Sequence, residues 1–157
     1  MTLIDVNERV ERAMGYFKAG YNCAQAVAMA YNDVMDMSVE EVAKLAAPFG
    51  GGMGRMREVC GTVSGMTLLA GAIKPAVNPQ NLEERKENYA LVQHFAEQFR
   101  AENGDIVCRR LLGLETMAER AETPMPSERT AEYYKKRPCV EYVGCAARIV
   151  GEYLATK

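Results

Sequence analysis

The sequence predicts an all-α fold, a bundle of roughly six to eight helices forming a single domain over residues 1–157. Three observations carry that reading. Apolar residues recur at steps of three and four through most of the chain, capping residues and glycines stand where those stretches begin and end, and no segment alternates β-branched residues with polar ones. A chain of 157 residues is long enough to bury a real interior, so folding does not require a disulfide framework.

The first helix follows Asp5-Val-Asn-Glu8, a capping-box-like start, with Val6, Val10, Ala13, Met14 and Phe17 on one stripe and Gly20 as its stop. Asn22 is placed to cap a second helix whose inward stripe runs from Cys23 through Ala26, Val27, Ala30 and Tyr31 to Val34. Ser38, with Glu41 three residues on, opens a third, expected to bury Val42, Leu45, Ala46 and Phe49. Pro48 and the run Gly50-Gly51-Gly52-Met53-Gly54 end it, because so many unrestrained backbone positions cannot sustain a helix.

From about Cys60 to Ile73 the chain predicts a small apolar helix. Gly61 and Gly65 share one of its faces, where the missing side chains allow another backbone to come close. After a proline-bounded turn comes the longest helix, Asn81 to Asn103, with Tyr89, Val92, Phe95, Ala96 and Phe99 on its apolar side and Gly104 as its end. Asp105 can cap a short helix reaching Leu112, and another is expected from Glu115 to Ala121. Glu122-Thr-Pro-Met-Pro126 reads as a loop ahead of a tyrosine-bearing helix from Ser127 to Lys136.

The last helix starts at Pro138, a residue suited to a first turn. It carries two apolar stripes, one of Val140, Val143, Ala147, Val150 and Leu154, the other of Tyr142, Cys145, Ile149 and Tyr153. A helix apolar on two sides is either sandwiched in the core or shared with a second subunit, which makes a homodimer an expectation.

Nineteen basic and twenty-one acidic side chains leave a net charge of −2 without a basic tail, which argues against nucleic acid as a partner. The first residues meet acidic side chains at once and offer no basic-then-apolar leader, and the longest uncharged run, Val59 to Ile73, is too short for the ~20 apolar residues of a membrane span. A cytoplasmic location with no membrane partner is therefore expected. Five cysteines cannot all pair within the molecule, and in a reducing compartment they rest as thiols or as metal ligands. Ten methionines and no tryptophan suggest an adaptable core.

Four of the five cysteines, Cys23, Cys60, Cys108 and Cys139, fall in or beside the first turn of a predicted helix. Unpaired N–H groups and the positive end of the helix dipole stabilise a thiolate at such positions, so depressed thiol pKa values are expected. Arg55 and Arg57 precede Cys60, Arg109 and Arg110 follow Cys108, and Lys136 and Arg137 precede Cys139. These settings suit either reactive sulfur or a thiolate ligand set, while the bland alternative is that free cysteine packs as a small hydrophobe. Cys145, mid-helix in an apolar stripe, takes that packing reading. There is no C-x-x-C redox dipeptide and no C-x-x-C-H for a c-type haem, and the four thiols do not come as the close pairs of zinc ribbons. Any site they form has to be assembled by the tertiary fold, and an iron–sulfur cluster remains among the possibilities.

The run Phe49-Gly-Gly-Gly-Met-Gly-Arg55 is neither a Walker A, having no Gly-Lys-Ser/Thr, nor a dinucleotide fingerprint, having no strand before it. As structure it is a helix stop and a tight turn. As a site, backbone N–H groups of Gly50, Gly51, Gly52 and Gly54, with Arg55 and Arg57 nearby, could cradle an anion or let a cofactor approach the Cys60 helix beside Gly61 and Gly65. His94, the only histidine, reads as a solvent-side or satisfied residue, and Glu83, Glu84 and Glu87 as a solvated face balanced by Arg85 and Lys86.

These segments resemble a bacterial family of small helical redox-active proteins known by the pattern C_GCAxxG_C_C. The resemblance runs through Asn22-Cys23-Ala-Gln-Ala-Val27, Phe49-Gly-Gly-Gly-Met-Gly-Arg55, Cys60-Gly-Thr-Val-Ser-Gly65, Ile106-Val-Cys108-Arg-Arg-Leu-Leu-Gly113 and Cys139-Val-Glu-Tyr-Val143, covering about residues 8 to 154. Thr62 stands where the family has alanine, and Cys145 has no counterpart in the four-cysteine pattern. The resemblance implies a redox role for the four cysteines. Related segments occur in split-Soret cytochromes c, where an iron–sulfur centre accompanies haems whose motifs are absent here.

The leading expectation is thiol–disulfide chemistry by Cys23, Cys60, Cys108 and Cys139 converging in space, with a redox partner or small molecule that the sequence does not name. The alternative is an electron-transfer or metal-binding module using the same four as ligands, and a third reading is an interaction protein whose cysteines only pack. On the first reading Cys60 lies within bridging reach of another of the four, the glycine loop borders the same pocket, and Cys145 lies outside it.

Overall fold

The computed structural model describes residues 3–114, 123–131 and 138–157. Among them are seven α-helices and no strand: α1 (Val6–Lys18), α2 (Cys23–Met29), α3 (Val39–Ala46), α4 (Gly61–Ile73), α5 (Leu82–Asn103), α6 (Cys108–Leu111) and α7 (Cys139–Ala155), with one 3-10 turn at Ala47–Phe49. The all-α expectation holds. The helix expected over Glu115–Ala121 lies outside the described residues, as does half of that expected over Ser127–Lys136, whose first residues, 127–130, are not helical.

Local chemistry sets the helix starts. Asp5 accepts from the Glu8 N–H, and Asn81 from the Glu84 N–H. Asn22 with Gln25 and Ser38 with Glu41 form complete capping boxes, in which each side chain satisfies the other residue's orphan N–H. Gly104 closes α5 in the left-handed region at φ 93°. Helix α2 is shorter than expected: Ala30 caps it and the chain turns away before Val34. Two stripe assignments also need correction. Leu45 is 51 % exposed while Val42 and Ala46 are buried, and Tyr89 is 58 % exposed while Leu91, Phe95 and Phe99 form the buried line of α5. In both cases the buried arc is rotated from the one expected, because the neighbours available to cover it decide which apolar residues go inside.

The core lies between α7 and the helices around it, α1, α2, α4 and α5. Residues of both α7 stripes, Val143, Ala147 and Val150 from one and Ile149 from the other, are buried there, so the sandwiched alternative describes this helix. Its Gly144 faces Met14 and Val10, and its Gly151 faces Tyr31 and Val6, so α1 and α2 can lie close against it. The Tyr31 hydroxyl donates to the Ala147 carbonyl at 2.6 Å, filling the gap that Gly151 leaves.

Two contacts fix the helices that carry the cysteines. A Cβ on Gly61 would stand 3.1 Å from the Phe49 carbonyl oxygen and 3.2 Å from Cys23 Cβ, and one on Gly65 would stand 3.0 Å from the Ala24 carbonyl oxygen, so α4 and α2 meet backbone to backbone. At the other end of α2, buried Arg9 donates to the Ala30 carbonyl at 2.8 Å and to Asp33 at 2.6 and 2.8 Å. That cation sits where the dipole of α2 is negative, and it holds the helix whose first residue is Cys23. No helix among the described residues is long and apolar enough to cross a membrane.

Candidate functional site

Four separate segments bring one cysteine each to the wall of a single cavity of about 340 Å³. Cys23 is the first residue of α2, Cys60 the N-cap of α4, Cys108 the first residue of α6 and Cys139 the first residue of α7. Cys60 and Cys108 are joined through the backbone. The Cys60 N–H donates to the Ile106 carbonyl at 2.7 Å and the Cys108 N–H to the Glu58 carbonyl at 2.6 Å, around an antiparallel bridge between Val59 and Val107. In that register Glu58, Cys60, Ile106 and Cys108 share one face of the bridge. Asp105 does not cap α6 directly. Its carboxylate accepts from the Ile106 and Val107 N–H groups at 2.7 and 3.0 Å, which shapes the turn into the bridge and holds the acid below the usual carboxylate range. Cys139 is the side chain that acts most strongly on the Cys23 thiol, as a neighbour across the cavity wall. None of the five cysteines is in a disulfide, and Cys145 lies elsewhere, against Asn103, Glu102 and Arg148.

The glycine loop borders the same cavity with Gly50, Gly51, Gly52, Gly54 and Arg55. Its backbone is an unusual left-handed turn: Gly51, Gly52, Met53, Gly54 and Arg55 have φ between 57° and 70°, and Arg57 follows at 62°. For Met53, Arg55 and Arg57 this conformation costs about 1–2 kcal/mol each, which the surroundings have to over-determine. They do so through hydrogen bonds: the N–H groups from Met53 to Glu58 all donate to carbonyls between Pro48 and Met53. Of the four glycine amides, Gly50 and Gly54 donate to the Ala47 and Pro48 carbonyls, while those of Gly51 and Gly52 make no hydrogen bond among the described residues. The loop therefore brings to the cavity close backbone approach, two open N–H groups and a side chain. Gly52 shows the approach, since a Cβ there would stand 2.7 Å from Cys108 Cβ. Gly61 also lines the cavity, whereas Gly65 packs on Ala24 and Val27 away from it.

The electrostatics differ from the expectation of depressed thiol pKa values. Burial pushes Cys60 up to about 12. Cys23 is raised well above its ordinary value by the neighbouring Cys139 side chain, by burial, and by the charges that Cys139, Cys60 and Cys108 would carry. Helix N-termini favour a thiolate by amounts that desolvation exceeds when the sulfur is cut off from water and faces other thiols. At neutral pH both groups are therefore protonated.

Three residues of the site escaped the sequence reading. Thr62, fully buried, shares a 3.1 Å hydrogen bond with Cys60 Sγ that opposes the upward shift. Tyr142 lines the cavity one helical turn after Cys139, its hydroxyl pushed up chiefly by burial. Their spacing from the cysteines, i+2 and i+3, was the available signal. The third, Arg129, had none: it donates to the Phe17 and Tyr21 carbonyls and lies over the Phe17 ring. Together with Arg55, which donates to the Thr123 and Met125 carbonyls and to Ser127, it pins the segment 123–131 along the cavity, where Pro124, Pro126 and Ser127 form part of the wall. Replacing Thr62 by alanine is expected to slow iodoacetamide alkylation of Cys60 about two- to tenfold at pH 9, the worth of one hydrogen bond to the thiolate, with Thr62→Ser restoring the rate. Peptide mass spectrometry of the labelled protein measures it, and an unchanged rate would remove Thr62 from the site.

The donor set suits a soft metal or a cluster, but among the described residues no group of three or more His, Cys, Asp or Glu side chains is gathered closely enough to hold a metal ion. Comparison with curated proteins finds no match, and neither does comparison with solved structures. One family model does match, described as "Putative redox-active protein (C_GCAxxG_C_C)", over residues 21–153, a span that takes in all four cavity cysteines, the glycine loop and helices α2 to α6 together with most of α7. The chain belongs to the C_GCAxxG_C_C family of redox-active proteins.

Proposed function

We propose that this protein carries out thiol–disulfide exchange at the cavity, cycling Cys23, Cys60, Cys108 and Cys139 between thiol and disulfide states. The observation that carries this reading is that Cys23, Cys60, Cys108 and Cys139 all line one cavity, with Cys139 acting most strongly on Cys23 and with Cys60 and Cys108 held across one backbone bridge. A bridge between two cysteines of this wall brings their sulfurs to the bonded distance of about 2.05 Å. Two pairs also supply an attacking and a resolving thiol, as exchange through a mixed disulfide requires. The raised pKa values keep Cys23 and Cys60 protonated at neutral pH, so exchange through either is expected to speed up as pH rises.

Mild oxidation with diamide, followed by digestion and mass spectrometry, is expected to give a Cys23–Cys139 bridge as the first product, reversed by dithiothreitol. Cys23→Ser and Cys139→Ser should each abolish it, while Cys145→Ser should not. Bridges confined to Cys145, or thiols that stay reduced, would refute the reading.

A cluster held by the same four thiolates is the second reading, favoured by their arrival from four separate segments on one cavity. Iron and sulfide analysis with a visible spectrum of anaerobically purified protein separates the two.

A further inference from the structure

Arg57 is the unusual charge of this molecule. Its residue is only 6 % exposed, its side chain lines the cavity, and no carboxylate pairs with it among the described residues. The neighbouring Glu58 is held by Arg109 at 2.9 Å. The guanidinium meets one acceptor, Cys108 Sγ at 3.8 Å, and a thiol is a weak one. A buried guanidinium is normally matched by an anion, because its desolvation is otherwise uncompensated. The backbone that presents it is held in the left-handed region at φ 62° by the Arg57 N–H to Gly51 bond and by Arg109, whose N–H and guanidinium both donate to the Arg57 carbonyl at 3.2 Å. Local strain retained to aim one buried, unmatched cation at a thiol-lined cavity marks a binding position.

We propose that the cavity takes a small disulfide bearing a carboxylate, with Arg57 holding the acid group and Cys108 meeting the sulfur. This rests on the exchange reading above and names its substrate class. Arg57 presents a planar fork that carboxylates match bidentately, and about 340 Å³ suits a molecule of this size. Arg55 and Arg129, also on the wall, are engaged with the 123–127 segment and with the Phe17 and Tyr21 carbonyls, which leaves the acid-binding role to Arg57. In the step, the Cys108 thiol loses its proton to solvent and its sulfur attacks one sulfur of the substrate. A Cys108–substrate disulfide forms, the substrate S–S bond breaks, and one substrate thiolate leaves and takes a proton. A second cavity cysteine, as its thiolate, then attacks the Cys108 sulfur, releasing the other half as a thiol. Two protein thiols are oxidised to one disulfide while one substrate disulfide is reduced to two thiols.

The test compares three disulfides of similar length on the reduced protein: 3,3′-dithiodipropionate, which is anionic, bis(2-hydroxyethyl) disulfide, which is neutral, and cystamine, which is cationic. Rates of protein thiol loss are divided by each compound's rate with free 2-mercaptoethanol. The anionic disulfide is expected to lead the neutral one about tenfold or more. Arg57→Gln, which also removes a cation from beside the Cys108 sulfur and so changes the rate common to all three, is expected to bring the anionic-to-neutral ratio to about one. In the unmutated protein, peptide mapping should also show iodoacetate favoured over iodoacetamide at Cys108 relative to the free thiol, a readout that does not depend on the variant folding. Equal normalised rates for all three disulfides, or a lead that survives Arg57→Gln, would overturn the anion site and leave exchange standing. No reaction with any of the three would overturn the exchange reading and this proposal together.

Discussion

Gly52→Ala is expected to destabilise the protein by about 2–5 kcal/mol, the sum of left-handed backbone strain of about 1–2 kcal/mol and overpacking of about 1–3 kcal/mol. The strain arises because Gly52 has φ 70°, and the overpacking because a Cβ there would stand 2.6 Å from the Glu58 nitrogen and 2.7 Å from Cys108 Cβ. Neither neighbour can give way cheaply. The Glu58 N–H already donates to the Gly52 carbonyl at 2.9 Å, and Cys108 is fixed by its own bond to the Glu58 carbonyl. Gly54→Ala is the matched control, since Gly54 has φ 57° but nothing within 4 Å of the added carbon, so it should cost the strain alone. Thermal unfolding should show a fall on the order of 10 °C for Gly52→Ala and clearly less for Gly54→Ala. Because the displaced wall belongs to the cavity, Cys108 labelling should change in the first variant and not in the second. Equal stability of the two would mean that the loop does not pack on Cys108 as described.

The second large effect is alkaline. Cys60 is raised from 9.0 to about 12 in the folded protein, so above pH 9 the unfolded chain releases a proton that the folded chain keeps. The stability linked to this group is fully present below about pH 9 and is lost as pH rises towards 12, at about 1.4 kcal/mol per pH unit for one differential proton. Cys23, shifted in the same direction, adds to the loss, as does Tyr31 at the upper end, raised chiefly by burial. Urea unfolding from pH 8 to pH 10.5 should therefore show a steep decline that Cys60→Ala makes shallower. A decline of equal slope in that variant would mean that Cys60 ionises near its ordinary value and is not sealed from water.

The helical starts were legible because capping is local chemistry. Asn22 with Gln25 and Ser38 with Glu41 are pairs within one turn, and nothing distant is needed to satisfy them. Gly61 and Gly65 were also legible as a face of close approach, since their spacing is a property of the helix itself, although only the fold shows that α2 is what approaches. The rotated stripes of α3 and α5 were not legible, because Leu45 and Tyr89 fit the apolar period as well as the residues that are buried.

The sequence by itself determined that the protein is helical, that four cysteines stand at helix starts, and that a glycine loop leads into one of them. Each follows from residue type and from spacings of a few residues. Only the tertiary structure decided that the four cysteines share one cavity, with Cys139 beside Cys23 and the segments of Cys60 and Cys108 joined by the Val59–Val107 bridge, because those contacts join segments with no covalent reason to be close. It also decided the sign of the thiol shifts. A helix N-terminus is visible in sequence and argues for a thiolate, but neighbours and burial are properties of the whole packed molecule, and the Cys139 side chain with burial at Cys23, and burial at Cys60, exceed the dipole.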